Sequence, residues 1–474
     1  MHYCTVLHCT ILSYALLYCA TVYYTILCTT VLCYTVLYYL MHYCTVLHYH
    51  LPLEIQRALH LFSLGQSLPR TLQEALRHTY RFWDSQPVPK LGGADGTHVG
   101  PITEPDGLVR REQYSLPPGF TWDTLDPTSL SVLEELCVLL SENYIEEDDN
   151  TLRRQFNPEY LKWVLMPPGW QAQWLCGLRV STNQKLVGFI SAAPTNLRIH
   201  DTERMVAQVN FLCVHRKLRQ KRMSPVLIRE LTRRVQQQGV SQAVYTAPVV
   251  LPTPLATCRF WNRPLSPRKL MDVDYPGLRL NTKLHLKLQR LPKLPKTPGL
   301  RPLTLEDIPG AMNLLHTHFL ESGLSPTLLP QEAVHWLLPR EDVMDSYVVE
   351  ASDGTGLTDL VSFYTVSTRV LNHPVHSHLR EARLLYCVTT ATEPVDLVED
   401  TLVLAKAKGL DLFSVLDVMG NSCFLEKLKF VPSKDYLHYY LYNWACPTIH
   451  PDKNYLLLQD ALRHLVRYVK KIHQ

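Results

Sequence analysis

The chain has 474 residues, enough for two or more domains, and 46% of them are hydrophobic, an ordinary share for a globular protein. A formal charge of +4 is too small for bulk nucleic-acid binding, so an anionic ligand must meet a local cluster of cations. The 13 cysteines include no C-x-x-C pair and the 21 histidines no H-E-x-x-H, so no metal site is expected, and the seven cysteines beyond residue 50 read as reduced, buried thiols of a cytosolic protein.

Residues 1–53 contain no Asp, Glu, Lys or Arg. Within them Met1-His2-Tyr3-Cys4-Thr5-Val6-Leu7-His8 recurs identically at 41–48, so residues 1–50 form a low-complexity hydrophobic leader. Three readings compete: an anchor, a β-rich aggregating segment, or a translated short tandem repeat of DNA. The stretch exceeds the roughly 20 residues a spanning helix needs, but Thr, Tyr, Cys and His dilute it and no Lys or Arg flanks it. The repeat reading is favoured, and no stable membrane insertion is expected.

From 51 to 295 helical and strand-like runs alternate. Leu130–Asn143 has helical spacing, and 185–193 reads as a strand. Asn210-Phe211-Leu212-Cys213-Val214-His215, then Arg216-Lys217-Leu218-Arg219-Gln220-Lys221-Arg222, then 224–231, reads as strand, basic turn, helix. Such a turn aims cations and backbone N–H groups at one point, and the helix start adds its dipole, which suits the phosphate of a nucleotide. The spacing is neither G-x-G-x-x-G nor G-x-x-x-x-G-K-[ST], so dinucleotide and NTP loops are poorly supported. Pro292, Pro295, Pro298 and Pro302, with Lys293 and Lys296, mark a stiff connector. A second alternating region spans 296–459, with a strand over 359–365 and a helix over 399–407. Residues 460–474 place Leu462, Leu465, Val466, Val469 and Ile472 at helical spacing among Arg463, Arg467, Lys470 and Lys471, a basic amphipathic extension.

Acyl-CoA transferases of the GNAT type use a related strand, turn and helix, and the 210–215 segment resembles the signature of the N-myristoyltransferases, which move myristate from myristoyl-CoA onto the N-terminal glycine of proteins. The similarity runs from about residue 55 to 459, through Tyr80-Arg81-Phe82-Trp83-Asp84-Ser85-Gln86-Pro87-Val88-Pro89-Lys90, Pro167-Pro168-Gly169-Trp170, Ala243-Val244-Tyr245-Thr246-Ala247 and Tyr439-Tyr440-Leu441-Tyr442-Asn443-Trp444. It implies an α/β fold of two GNAT-like halves, 51–295 holding acyl-CoA and 296–459 most of the peptide groove. The implied partners are myristoyl-CoA as co-substrate, with no other cofactor and no metal, and the N-terminal glycine of peptides and nascent proteins. The implied setting is cytoplasmic, with peripheral ribosome or membrane association open. For the reaction centre the resemblance implies an oxyanion hole from the backbone of Phe211 and Leu212, with Asn210, Thr246 and Tyr144 around the amine. Phosphates and nucleotide would be held by Tyr80, Arg81, Phe82, Trp83, Cys213, Val214, Arg219, Gln220, Lys221, Arg222, Met223 and Ser224. The peptide would meet Glu147, Asp149, Phe260, Tyr364, Thr368 and Asp435.

Departures gather on the peptide side. Lys429-Phe430-Val431-Pro432-Ser433-Lys434-Asp435 replaces a glycine-rich loop, Leu152-Arg153-Arg154 replaces Phe-Arg-Phe, Pro248 stands where glycine is usual, and Asn262 replaces a histidine. Lost glycines can forbid positive φ values that a backbone needs. In the family the terminal α-carboxylate takes the amine proton, but 15 residues follow the matching Gln459 here. A non-catalytic or decayed relative that retains acyl-CoA binding is therefore the alternative reading.

Overall fold

The computed structural model describes residues 69–92, 99–104, 109–144, 151–276, 290–354 and 356–457. The leader, Glu147, Asp149, Gln459 and the 460–474 extension lie outside the described residues. The first half supplies β1 (Phe120–Thr124), β2 (Leu152–Gln155), β3 (Leu175–Val180), β4 (Leu186–Ile199), β5 (Thr202–Val214), β6 (Ala243–Ala247) and β7 (Ala256–Pro264). The second supplies β8 (Leu300–Pro302), β9 (Leu324–Pro326), β10 (Met344–Glu350), β11 (Leu357–Val370), β12 (His378–Thr389), β13 (Leu412–Leu416) and β14 (Val431–Tyr442).

All fourteen join one sheet in the order β1-β3-β4-β5-β6-β14-β7-β13-β12-β11-β10-β8, with β9 on β4 and β2 on β11. The order is symmetric about β14 and β7 once each first-half strand is matched with its second-half counterpart, so an α/β architecture of two similar halves is directly visible. In each half long antiparallel strands lead into a short parallel contact across a helix. Helix α1 (Leu130–Asn143) packs beside the first of these units, α2 (Met223–Gln236) joins β5 to β6, and α3 (Pro394–Ala407) joins β12 to β13. The parallel contacts cover only Ala207–Gln208 against Ala243–Val244, and Glu381–Arg383 against Leu412–Ser414.

The two halves also trade strands. β7 pairs with β13, β14 pairs with β6, and β7 and β14 pair with each other at the centre. A change of composition near residue 295 therefore marks no break in the sheet.

Local sequence explains the helices. α1 buries Leu133, Leu136, Leu139 and Leu140, the spacing of one helical stripe. α3 starts at Pro394, where a missing N–H costs nothing, five residues before the stretch expected to be helical. The proline-rich connector is pinned: the N–H groups of Lys296 and Thr297 donate to the Asp400 carboxylate at 2.9 and 2.7 Å. Its end, Leu300–Pro302, forms β8. One core gathers Trp163, Trp174, Phe189, Phe211 and Tyr439, and another collects Phe363, Phe413, Phe424 and Phe430 beneath α3. All seven cysteines are free thiols, but only Cys176, Cys213, Cys258 and Cys387 are buried. Cys423, on the short helix Ser422–Leu425, is exposed, which corrects the expectation that all seven are buried. Among the described residues no helix is long and apolar enough to cross a membrane.

Candidate active site

The signature strand is broken where the chemistry needs it. β4 and β5 pair Phe189 with Cys213 and Ser191 with Asn210, so Phe211 and Leu212 together face the single residue Ile190. Phe211 sits at φ 53°, in the left-handed region a bulky side chain avoids, and its ring is buried. A bulge of this kind turns backbone N–H groups out of the ladder, as an oxyanion hole requires. Asn210, Phe211, Leu212, Thr246 and Tyr144 all line one apolar cavity of about 130 Å³ that is partly open to solvent. The cavity occupies the gap where β5 and β6 diverge after their short contact.

Aromatic stacking forms one wall. The Trp83 ring lies on Tyr245 at 5.5 Å and 9°, and Tyr245 lies on Tyr440 at 5.1 Å and 19°. Tyr80 donates its hydroxyl to the Val250 carbonyl at 2.7 Å, and Lys90 donates to the carbonyls of Trp83 and Gln86 at 2.6 and 2.9 Å, so the 80–90 segment is tied down on both sides. Phe82 is buried under the Arg229 guanidinium, 5.7 Å away, while Arg81 is exposed. The α2 stripe Ile228, Leu231, Thr232 and Val235, with Ser241 and Gln242, also lines the cavity. Sequence reading missed these residues because a helical apolar stripe is indistinguishable from ordinary core.

The basic turn Arg216–Lys221 is a 3-10 segment anchored to α1. Asn143 Oδ1 accepts from the Arg216 N–H at 3.1 Å, and Arg219 donates to the Asn143 carbonyl at 2.5 Å. Arg219 thus turns inward as an anchor. Cys213 and Val214 also point into the core, which leaves only their backbone to face a ligand. Lys221 and Arg222 are exposed, and Arg222 at φ 53° starts α2, whose Met223 and Ser224 are buried. His215 accepts from the Lys217 N–H at 3.3 Å; burial and then Lys185, Arg216 and Lys217 lower its pKa, so it stays neutral. Glu230, fully buried on α2, accepts from Arg233 at 2.6 Å, Arg234 at 2.9 Å and the Tyr114 N–H at 3.1 Å. Burial alone would raise its pKa, but these donors lower it overall.

From Phe211 a chain of rings extends. Tyr144 and Phe156 lie 5.7 and 5.9 Å from the Phe211 ring, and Tyr160 connects Phe156 to Tyr364 at 6.1 and 6.5 Å. Arg383, paired with Glu381 at 3.0 Å, stands 5.8 Å over Phe260. Thr368 on β11 faces Arg154 on β2. Arg154 is 6% exposed, and its guanidinium packs on Phe156 at 5.1 Å and Tyr160 at 5.7 Å. One of its nitrogens donates to the Tyr160 hydroxyl at 3.3 Å, while Nε and Nη1 have no partner among the described residues. Asp435 lies in a 433–435 bulge of β14, where it accepts from the Ser433 hydroxyl at 2.7 Å. Within this glycine-poor loop only Lys429 takes a positive φ, 61°, so the path avoids the conformations that lost glycines would forbid. Asn262 is buried and accepts from Ser414 at 3.0 Å.

The second half repeats the bulge and turn with its own contents. Between Ser362↔Tyr386 and Phe363↔Leu384 the strand β12 carries one extra residue, Leu385, and the Ser362 hydroxyl accepts the Tyr386 N–H at 3.2 Å. After β12 the N–H groups of Thr390, Ala391 and Thr392 donate to one oxygen of Asp359 at 2.9, 3.2 and 3.2 Å. The hydroxyls of Thr392 and Thr358 donate to the other at 2.7 and 2.8 Å. Asp359 is fully buried opposite Thr389, the last residue of β12; the corresponding first-half position, opposite Val214, is Gly188.

Two family models match the chain: the N-terminal domain of myristoyl-CoA:protein N-myristoyltransferase over residues 102–258, and its C-terminal domain over 272–460. The chain is 51% identical over 408 residues to glycylpeptide N-tetradecanoyltransferase 2 of Danio rerio, covering 86% of this chain and 82% of that protein. It is 44% identical over 404 residues to the Drosophila melanogaster glycylpeptide N-tetradecanoyltransferase, covering 83% and 85%. Among solved structures, Saccharomyces cerevisiae N-myristoyltransferase with bound myristoyl-CoA is similar with a TM-score of 0.75 at 35% identity, covering 82% of this chain and 92% of that one.

Proposed function

The chain belongs to the myristoyl-CoA:protein N-myristoyltransferase family, and we propose on that footing that it transfers myristate from myristoyl-CoA to the N-terminal glycine amine of proteins. The acyl chain and pantetheine occupy the cavity between β5 and β6, and the exposed Lys221 and Arg222 meet phosphate at the start of α2. The Trp83 wall encloses the nucleotide end. Asn210 and Thr246 orient the amine beside Tyr144. With an α-amine pKa near 7.7–8.0, a fraction of the glycine is neutral at pH 7, so its nitrogen attacks the thioester carbonyl directly. The carbonyl oxygen gathers negative charge and is held by the backbone N–H groups of the Phe211–Leu212 bulge. The C–S bond then breaks, CoA leaves as the thiolate, and the proton lost by the amine balances it. Tyr364, Thr368, Phe260 and Asp435 are the described candidates for peptide contacts.

The bulge at Phe211 carries this reading, because it puts donors at the wall of an apolar cavity and not inside a ladder. Single-turnover transfer of labelled myristate to a glycine-initiated peptide tests it, with the N-acetylated peptide as control. Transfer only to the free amine is expected. Acyl-CoA binding without any transfer, in the intact chain and in one ending at Gln459, would establish the non-catalytic relative instead.

A further inference from the structure

We propose that Arg154 is a specificity residue that reads a carboxylate side chain on the substrate peptide, about three residues from the acylated glycine. The proposal rests on the acyl-transfer reading for the position of the peptide. Arg154 carries a guanidinium at 6% exposure, yet no acid pairs with it among the described residues; its one acceptor among them is the Tyr160 hydroxyl. Nε and Nη1 are both unsatisfied. A buried guanidinium with two idle donors is expensive to keep, and the interaction that best offsets it is a carboxylate taking those donors side by side. The Phe156 and Tyr160 rings hold the guanidinium plane and attract its charge, so the fork is fixed before a ligand arrives.

Its place points to the peptide. The guanidinium touches Phe156 at 5.1 Å, and Phe156 touches the Phe211 ring at 5.9 Å. An extended peptide advances roughly 3.3–3.6 Å per residue, so a chain leaving the reaction centre along these rings reaches Arg154 at about the third or fourth position. Arg154 also faces Thr368 across the β2–β11 pair, next to Tyr364 through Tyr160. Arg383, the other buried cation of this wall, already has Glu381. Among the described residues, Arg154 is the buried cation of this wall that has no acid of its own.

The test uses the full chain with a non-hydrolysable thioether analogue of myristoyl-CoA bound, and C-terminally amidated glycine-initiated peptides carrying Glu, Gln or Lys at the second to fifth positions. Amidation removes the terminal carboxylate as a competing anion. Peptide affinity should favour Glu over Gln on the order of 10- to 100-fold at one position, the range of a charge-assisted hydrogen-bond pair. In Arg154→Met that ratio should fall to about one, and Arg154→Lys should keep part of it. No Glu preference in the natural protein, or a preference that survives Arg154→Met, would overturn the proposal. Thermal midpoints of the three proteins guard against misfolding, and transfer to the Gln peptide is scored separately, so a failed acyl-transfer reading is not mistaken for a failed Arg154 assignment.

Discussion

The two halves of this sheet make the same bulge, turn and helix and use them in opposite ways. After β5 the turn shows Lys221 and Arg222 to solvent, and the cavity follows the gap beside the bulge. After β12 the turn closes on Asp359, and the bulge N–H is taken by Ser362. The position that carries Asp359 in the second half is Gly188 in the first, where an added Cβ would stand 3.0 Å from Leu178. A carboxylate built into the strand does for the second turn what a phosphate is proposed to do for the first. The first turn stays open, and its twin is closed from within.

The largest effect should come from removing the internal anion. Asp359→Ala removes the acceptor of five hydrogen bonds and should cost about 4 kcal/mol in urea unfolding, with partial recovery in sulfate or phosphate over chloride at equal ionic strength. Wild-type-like stability would dissolve the parallel between the turns. Next, Glu230→Gln strips the acid from Arg233 and Arg234 on α2, and a loss of about 3 kcal/mol in thermal unfolding is expected. Smaller still, Arg222→Ala should weaken acyl-CoA binding by about 1–3 kcal/mol in calorimetric titration and leave the melting midpoint in place. An unchanged affinity removes it from the open turn.

The smallest effect concerns what joins the halves. His438 on β14 hydrogen-bonds Thr257 at 2.9 Å, and the His335 ring donates to the Trp163 carbonyl at 2.7 Å, which in turn donates from its indole to the His335 carbonyl at 3.0 Å. Burial lowers both histidines to about 4. The unfolded chain, with pKa near 6.5, binds these protons first, so stability is complete above pH 6.5 and declines as pH falls toward 4. At pH 5.5 each should cost about 1 kcal/mol. Hydrogen exchange should then rise in both turns together; a rise in one alone would show that the halves open independently.

Much of the first half was legible because its signals are local. The 210–231 strand, turn and helix, and the 130–143 helix, follow from spacing within a few turns of chain. The similarity of motif then pointed to the bulge residues, which composition alone would have left as core strand. A basic turn does not reveal which cation faces inward; Asn143, 76 residues earlier in sequence, accepts from Arg219 and anchors it there. Strand exchange between β7 and β14 was invisible, since it depends on pairing partners far apart in the chain. Asp359 was read only as the first residue of a strand. Its partners lie 31 to 33 residues on.

Only two residue pairs hold β5 to β6 before the strands part. An acyl-CoA lodged in that gap becomes a member of the architecture, and the fold then answers to supply. By mass action, a ligand at a hundred times its dissociation constant adds about 2.7 kcal/mol to the native state. Under the proposed function, the molecule the enzyme consumes would also be its folding ligand. A cell short of myristoyl-CoA would lose turnover first and then, through proteolysis of the loosened chain, the protein itself.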